Sequence, residues 1–382
     1  MESREQSGIC STTCSRRGFL ERLGWAGAAL LLPNVAFATS AGVAAENGLF
    51  CLGSFGHADK GTLHLVAKRM GKWERLSSAA TERPMALAVH PFHPVIYVAN
   101  GVTTYRHEPR GTVEAFHVDR RNGGLELLAR QPLSLSATDP RSLAVAPDGQ
   151  NLLVAAFGGG AYNILPIDAF GVPHAPSTIL KQVGRGSVAH PAAVVFHPRN
   201  GQAIGADCGA DRLDFLSLQG SEFAVSHRLH CEPGGGLSGV ALDREGHLAV
   251  AMQQFQPALK SFRCTAGGTF AALGSVSLDS PPTAIQFHPK QSVVYCAVRG
   301  DSRRSLIQAW RIESTTGELE KMAALPIPTM EIRAIDCSRN SLALASDRGL
   351  MTVALDAATA ALQGVELVVP IPGVSSLAAI SL

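Results

Sequence analysis

Leu143–Phe157, LAVAPDGQNLLVAAF, reads as an apolar strand, a turn built on Pro-Asp-Gly, and a second apolar strand. The same design recurs at Leu87–Asn100 (LAVHPFHPVIYVAN), Val194–Asp207 (VVFHPRNGQAIGAD), Val240–Met252 (VALDREGHLAVAM), Ile285–Val298 (IQFHPKQSVVYCAV) and Ala334–Ser346 (AIDCSRNSLALAS). The turns return about every 45 to 57 residues, the period of a propeller blade. The first strand of each copy is nearly all apolar, as expected where both faces are packed. Further strands follow, such as Gly111–Val118 (GTVEAFHV), with hairpin turns at Asp119–Leu125 (DRRNGGL) and Glu313–Leu319 (ESTTGEL). Four strands per unit make a blade.

The chain ends complete the count. Ser376–Ser381 resembles a first strand with nothing after it, whereas Leu49–Gly53, Thr62–Ala67 and Trp73–Ser77 are three strands lacking a first. Joined, they form a seventh blade and remove the free sheet edges of an open array. The expected fold is all-β, a seven-bladed propeller of four-stranded antiparallel blades, with the N- and C-terminal strands sharing one blade.

The N-terminus reads as an address. Ser15-Arg16-Arg17-Gly18-Phe19-Leu20 has the twin-arginine pattern, the apolar run Trp25–Leu32 is too short to span a bilayer, and Ala36-Phe37-Ala38 supplies a small-x-small cleavage site. Residues 1–38 are expected to be removed on export to the periplasm or beyond, leaving 39–382 as one propeller domain without stable membrane insertion. The net charge is +2, and the first 38 residues hold four Arg against three Glu, so the remainder carries +1. That balance gives no footprint for nucleic acid. Cys51, Cys208, Cys231, Cys264, Cys296 and Cys337 are widely spaced with no C-x-x-C pair, which points to packed core thiols and to no metal or other cofactor.

Gly111–Gly160 resembles the lactonase-type seven-bladed propellers, which include bacterial 6-phosphogluconolactonases and fungal carboxymuconate-lactonising enzymes. Gly205–Arg212 (GADCGADR) is similar to that family's D-x-G-x-D-R segment, Val298–Asp301 (VRGD) to its N-R-G-x-D, and Ile332-Arg333-Ala334 sits where it has P-R-D. The resemblance implies hydrolysis of a lactone, or the reverse closure, at one mouth of the central channel. The ligand would be a small sugar or carboxylated lactone, or another anion. A lactone carbonyl needs a base for water and a cation or donor set for the oxyanion. On the matched positions, His190 would be the base. Arg299 and Arg333 would hold the developing oxyanion or an anionic group, and Asp207 with Arg212 would shape the third blade's loop beside the substrate. Against the family pattern, this chain has Ala192, Ala284, Ser142 and Ala156-Phe157 at positions usually polar or differently aromatic. A second class of function therefore stands beside the first: a propeller that keeps the ring as a binding or scaffold module. His90, His197 and His288, each before Pro in an equivalent turn, are expected to serve those turns.

Overall fold

The computed structural model describes residues 48–380 apart from 57, 58, 120, 121, 184–187, 220, 221, 266, 267 and 301–303; the signal pattern and its cleavage site lie outside the described residues. Every regular element among them is a strand, and the strands form seven four-stranded antiparallel sheets. We number the blades by their innermost strands: Pro84–Val89, Pro140–Val145, Pro191–Phe196, Leu237–Leu242, Pro282–Phe287, Ile332–Cys337 and Val374–Ala379. Blades 1 to 6 are each built from consecutive strands running outward. Blade 7 joins the C-terminal inner strand to Leu49–Phe55, Lys60–Arg69 and Lys72–Glu82. The closing register is Phe50 opposite Ala379, Cys51 opposite Ala378, Leu52 opposite Leu377 and Gly53 opposite Ser376. Each inner strand packs on the next, and that of blade 7 packs on those of blades 6 and 1, so the ring is closed.

The apolar runs fill the spaces between blades. Leu143, Leu152 and Val154 of blade 2 share a buried cluster with Tyr97, Val113 and Ala115 of blade 1, and equivalent clusters follow round the ring. The outermost strands, such as Phe270–Ser277, are mostly exposed or half-buried because one of their faces meets water. None of the six described cysteines is disulfide-bonded, and burial pushes the Cys51 and Cys208 thiols up to about 12. Among the described residues no helix is long and apolar enough to cross a membrane.

The three turn histidines clasp neighbouring blades. In each, Nδ1 accepts two backbone N–H groups of its own turn: Phe92 and His93 on His90, Arg199 and Asn200 on His197, Lys290 and Gln291 on His288. An accepting Nδ1 fixes the tautomer that carries its proton on Nε2. That Nε2 donates to a turn carbonyl of the next blade, Gly149 at 3.1 Å, Gly246 at 3.1 Å and Arg339 at 3.2 Å. Burial holds all three rings below the ordinary histidine pKa, consistent with neutral imidazoles. Gly246 has φ +77°, and a Cβ there would collide with the His197 ring, so the turn needs glycine on both counts.

A buried carboxyl links two neighbouring inner strands. Asp336 of blade 6 bonds to Gln286 of blade 5, and burial pushes its pKa from 3.8 to about 7. A carboxyl raised in the folded state makes stability fall as pH climbs from the unfolded value through the folded one. Asp336→Asn should therefore stabilise the protein more at pH 8 than at pH 5, by a difference on the order of 2 kcal/mol. Urea unfolding at the two pH values checks this, and a difference independent of pH would contradict it.

Candidate functional site

Inner strands begin, and second strands end, on one face of the ring. His190 precedes the inner strand of blade 3, Asp207 ends the second strand of that blade and Arg212 opens its third. Arg299 follows Val293–Val298 of blade 5, and Arg333 is the second residue of the inner strand of blade 6. All five expected residues thus lie at the same mouth.

The inner strands carry a shared irregularity there. In all seven blades the register shifts at the second residue, which is skipped by the partner strand: Met85, Arg141, Ala192, Ser238, Thr283, Arg333 and Ser375. A bulge re-aims the side chain of the extra residue and bends the strand, and bulges recur at barrel rims and beside active sites. Only Arg141 and Arg333 of the seven are not fully buried. Arg141 is a mouth cation that the apolar pattern concealed, because it lies ahead of the recognisable run.

Around His190 three blade loops converge. Its backbone N–H donates to Asp207 Oδ1 at 2.7 Å, and its Nδ1 lies 2.9 Å from the Phe157 carbonyl. A carbonyl can only accept, so Nδ1 bears a proton and the lone pair of the neutral ring lies on Nε2. The ring stacks on Phe157 at 4.6 Å between centroids, and the Arg141 guanidinium lies over the same phenyl at 3.8 Å. Asp139 anchors Arg141, its Oδ2 lying 2.9 Å from Nε and 2.7 Å from Nη2.

Asp207 and Arg212 are buried and hold this arrangement from beneath. Asp207 Oδ1 also accepts from the N–H groups of Gly209 and Ala210, each at 3.1 Å, and so shapes the loop between the second and third strands. Arg212 approaches Asp207 at 3.2 Å and Asp214 at 2.9 Å, and donates to the Val183 carbonyl and to Gln182 in the connection that leads to His190. Burial raises both carboxyls, Asp214 to about 6, against the pull of Arg212. With 2% and 0% of their side chains exposed, Arg212 and Asp207 position the mouth from within the blade. Arg212→Met should cost roughly 3 to 5 kcal/mol, because it leaves the buried Asp207 carboxylate without its cation and Asp214 with Arg228 alone. Chemical denaturation measures this, and unchanged stability would mean the cluster is slack.

A second centre forms two blades round from His190. Arg299 Nη2 donates to Glu331 Oε1 at 3.0 Å, and Arg333 Nε donates to Glu331 Oε2 at 3.0 Å. Arg333 also reaches the Val374 carbonyl of blade 7 at 3.4 Å. Sequence spacing brings Glu331 and Arg333 together but gives no sign that Arg299 of the preceding blade shares the same carboxylate. The polar positions replaced in this chain are built into the packing: Ala192 and Ala284 are buried, and the Ser142 hydroxyl accepts the Val194 N–H of blade 3 at 3.1 Å. The Gly158–Gly160 run serves close packing, since a Cβ on Gly159 would strike the Ser136 carbonyl. No group of three or more His, Cys, Asp or Glu among the described residues could hold a metal ion.

Residues 52–374 match the family model "Lactonase, 7-bladed beta-propeller". The chain therefore belongs to the lactonase family of seven-bladed β-propellers. No curated protein sequence matches it significantly. Among solved structures, a protein from Bacteroides fragilis provisionally assigned as a 6-phosphogluconolactonase is 19% identical with a TM-score of 0.77, covering 88% of this chain and 99% of its own. A similarly assigned protein from Bacteroides uniformis is 17% identical with a TM-score of 0.76, over 87% and 99%. The periplasmic gluconolactonase PpgL of Pseudomonas aeruginosa is 18% identical with a TM-score of 0.75, over 86% and 98%. These likenesses establish a common fold.

Proposed function

We propose that the mature chain, residues 39–382, is a lactone hydrolase of the cell envelope whose chemistry takes place at this mouth. The observation that carries the reading is the bond from His190 Nδ1–H to the Phe157 carbonyl, which leaves Nε2 as the basic nitrogen. His190 takes a proton from water as the water oxygen bonds to the lactone carbonyl carbon. Charge then develops on the carbonyl oxygen, and the mouth arginines supply donors for it: Arg141 beside His190, Arg299 and Arg333 across the mouth. When the ring C–O bond breaks, the imidazolium returns its proton to the leaving alkoxide, and one water has been consumed for one hydroxy acid. Asp207 and Arg212 keep His190 in place rather than touching the substrate. No metal or other cofactor enters the scheme.

The twin-arginine pattern and the presence of a periplasmic enzyme among the structural neighbours support action outside the cytosol. Burial of Ala192, Ala284 and Ser142 favours the second reading, a ring that binds ligands without turning them over. Acid release at constant pH separates the two. The purified mature protein should hydrolyse at least one lactone in a panel of neutral, carboxylated and phosphorylated rings, whereas rates equal to the spontaneous ones throughout would leave the binding module.

A further inference from the structure

Glu331 stands immediately before the inner strand of blade 6 and commits each carboxylate oxygen to a different guanidinium, Oε1 to Arg299 and Oε2 to Arg333. Its own backbone is fixed: Asp347 Oδ1 accepts from the Glu331 N–H at 3.0 Å and from the Thr329 hydroxyl. The Glu331 and Arg333 side chains are 14% and 15% exposed, so water screens that pair poorly; Arg299, at 46%, is well screened. Two guanidiniums with one carboxylate leave a single net positive charge where the arginines alone would offer two.

We infer that Glu331 is a specificity-determining residue: its carboxylate occupies the anion position between Arg299 and Arg333, so the mouth takes uncharged lactones and rejects phosphorylated or carboxylated ones. The word lactone rests on the proposed function, while the occupancy of the anion position does not. A phosphate can reach the arginine pair only by displacing Glu331, which strands a mostly buried carboxylate, or by settling beside it against like charge. A neutral carbonyl oxygen needs neither. Each guanidinium has five N–H donors and gives one to Glu331, so the lactone oxygen can accept another while the carboxylate stays. Selectivity then comes from a built-in repulsion.

Inorganic phosphate titrated into wild type and Glu331→Gln, by calorimetry at low ionic strength, reads the inference without any turnover. The variant should bind phosphate at least about 10-fold more tightly, with the gain shrinking at high salt. Where the wild type is active, its preference for a neutral sugar lactone over the phosphorylated form should fall by a similar factor in the variant. Glu331→Asp, which keeps the charge but shortens its reach, should show a smaller gain and decides the matter if the Gln variant does not fold. Phosphate affinity unchanged or weakened by both substitutions would overturn the inference. A wild type that hydrolyses no lactone, with phosphate binding still tightened by Glu331→Gln, would sink the proposed function and leave the anion-position assignment standing.

Discussion

Truncation before Val374 should strongly destabilise the closed ring. The lost strand pairs with Leu49–Phe55 from Phe50 to Ser54, and it fills the space between blades 6 and 1. Leu377, Ala378, Ala379 and Ile380 are buried there against Phe50, Leu52, Leu87 and Val98. Removing them exposes apolar surface on two neighbouring blades and frees the edge of Leu49–Phe55 for pairing with other chains. The Ser375 hydroxyl, which donates to the Pro84 carbonyl at 2.6 Å, also disappears, and with it a polar tie from blade 7 to blade 1. A melting temperature lowered by well over ten degrees, or aggregation on expression, is the expected result, since a loss of several kcal/mol is a large part of the roughly 5 to 15 kcal/mol that holds a typical domain. Calorimetry checks it, and an unchanged transition would mean that the terminal strand is not what closes the ring.

The ring was legible because its signal repeats. Each apolar strand, turn and apolar strand is ambiguous alone, but six copies at a common period and two complementary ends admit few other arrangements. The starts of the inner strands were less visible. The pattern suggests Leu143 and Ile285 as first residues, whereas the strands begin at Pro140 and Pro282. The bulge at the second position breaks the regular succession of faces, so the residues that reach the mouth are the ones that a pattern of burial leaves out.

The candidate site divides in the same way. Arg299 and Arg333 stand out in sequence as cations beside buried strands, and Asp207 with Arg212 as a short matching segment. Full burial of the latter two was not legible, because it depends on Gln182 and Val183 from the connection between blades. Arg141 packs on Phe157 within its own blade, whereas Phe157 and Glu331 owe their roles to His190 and Arg299 of neighbouring blades. Such pairings are set by the closure of the ring, which no local spacing encodes.

Replacement of His190 by Ala carries the second large effect. Its backbone N–H bond to Asp207 survives the substitution, and the side chain is only partly buried, so the loop should keep its course. What is lost is the nitrogen that accepts the water proton and later returns it to the leaving oxygen. A missing general base typically lowers turnover by about 10² to 10⁴-fold, with little change in KM when binding rests on other groups. Arg299→Ala should instead act chiefly on KM or on the oxyanion, and Arg212→Met through stability. The role of His190 as base is therefore read from the initial rate of acid release from one uncharged sugar lactone, with chelator present, by wild type and His190→Ala at equal concentration. The wild-type rate should exceed the spontaneous one and the variant rate should be lower by about two to four orders of magnitude; equal rates for the two proteins would place the chemistry away from His190.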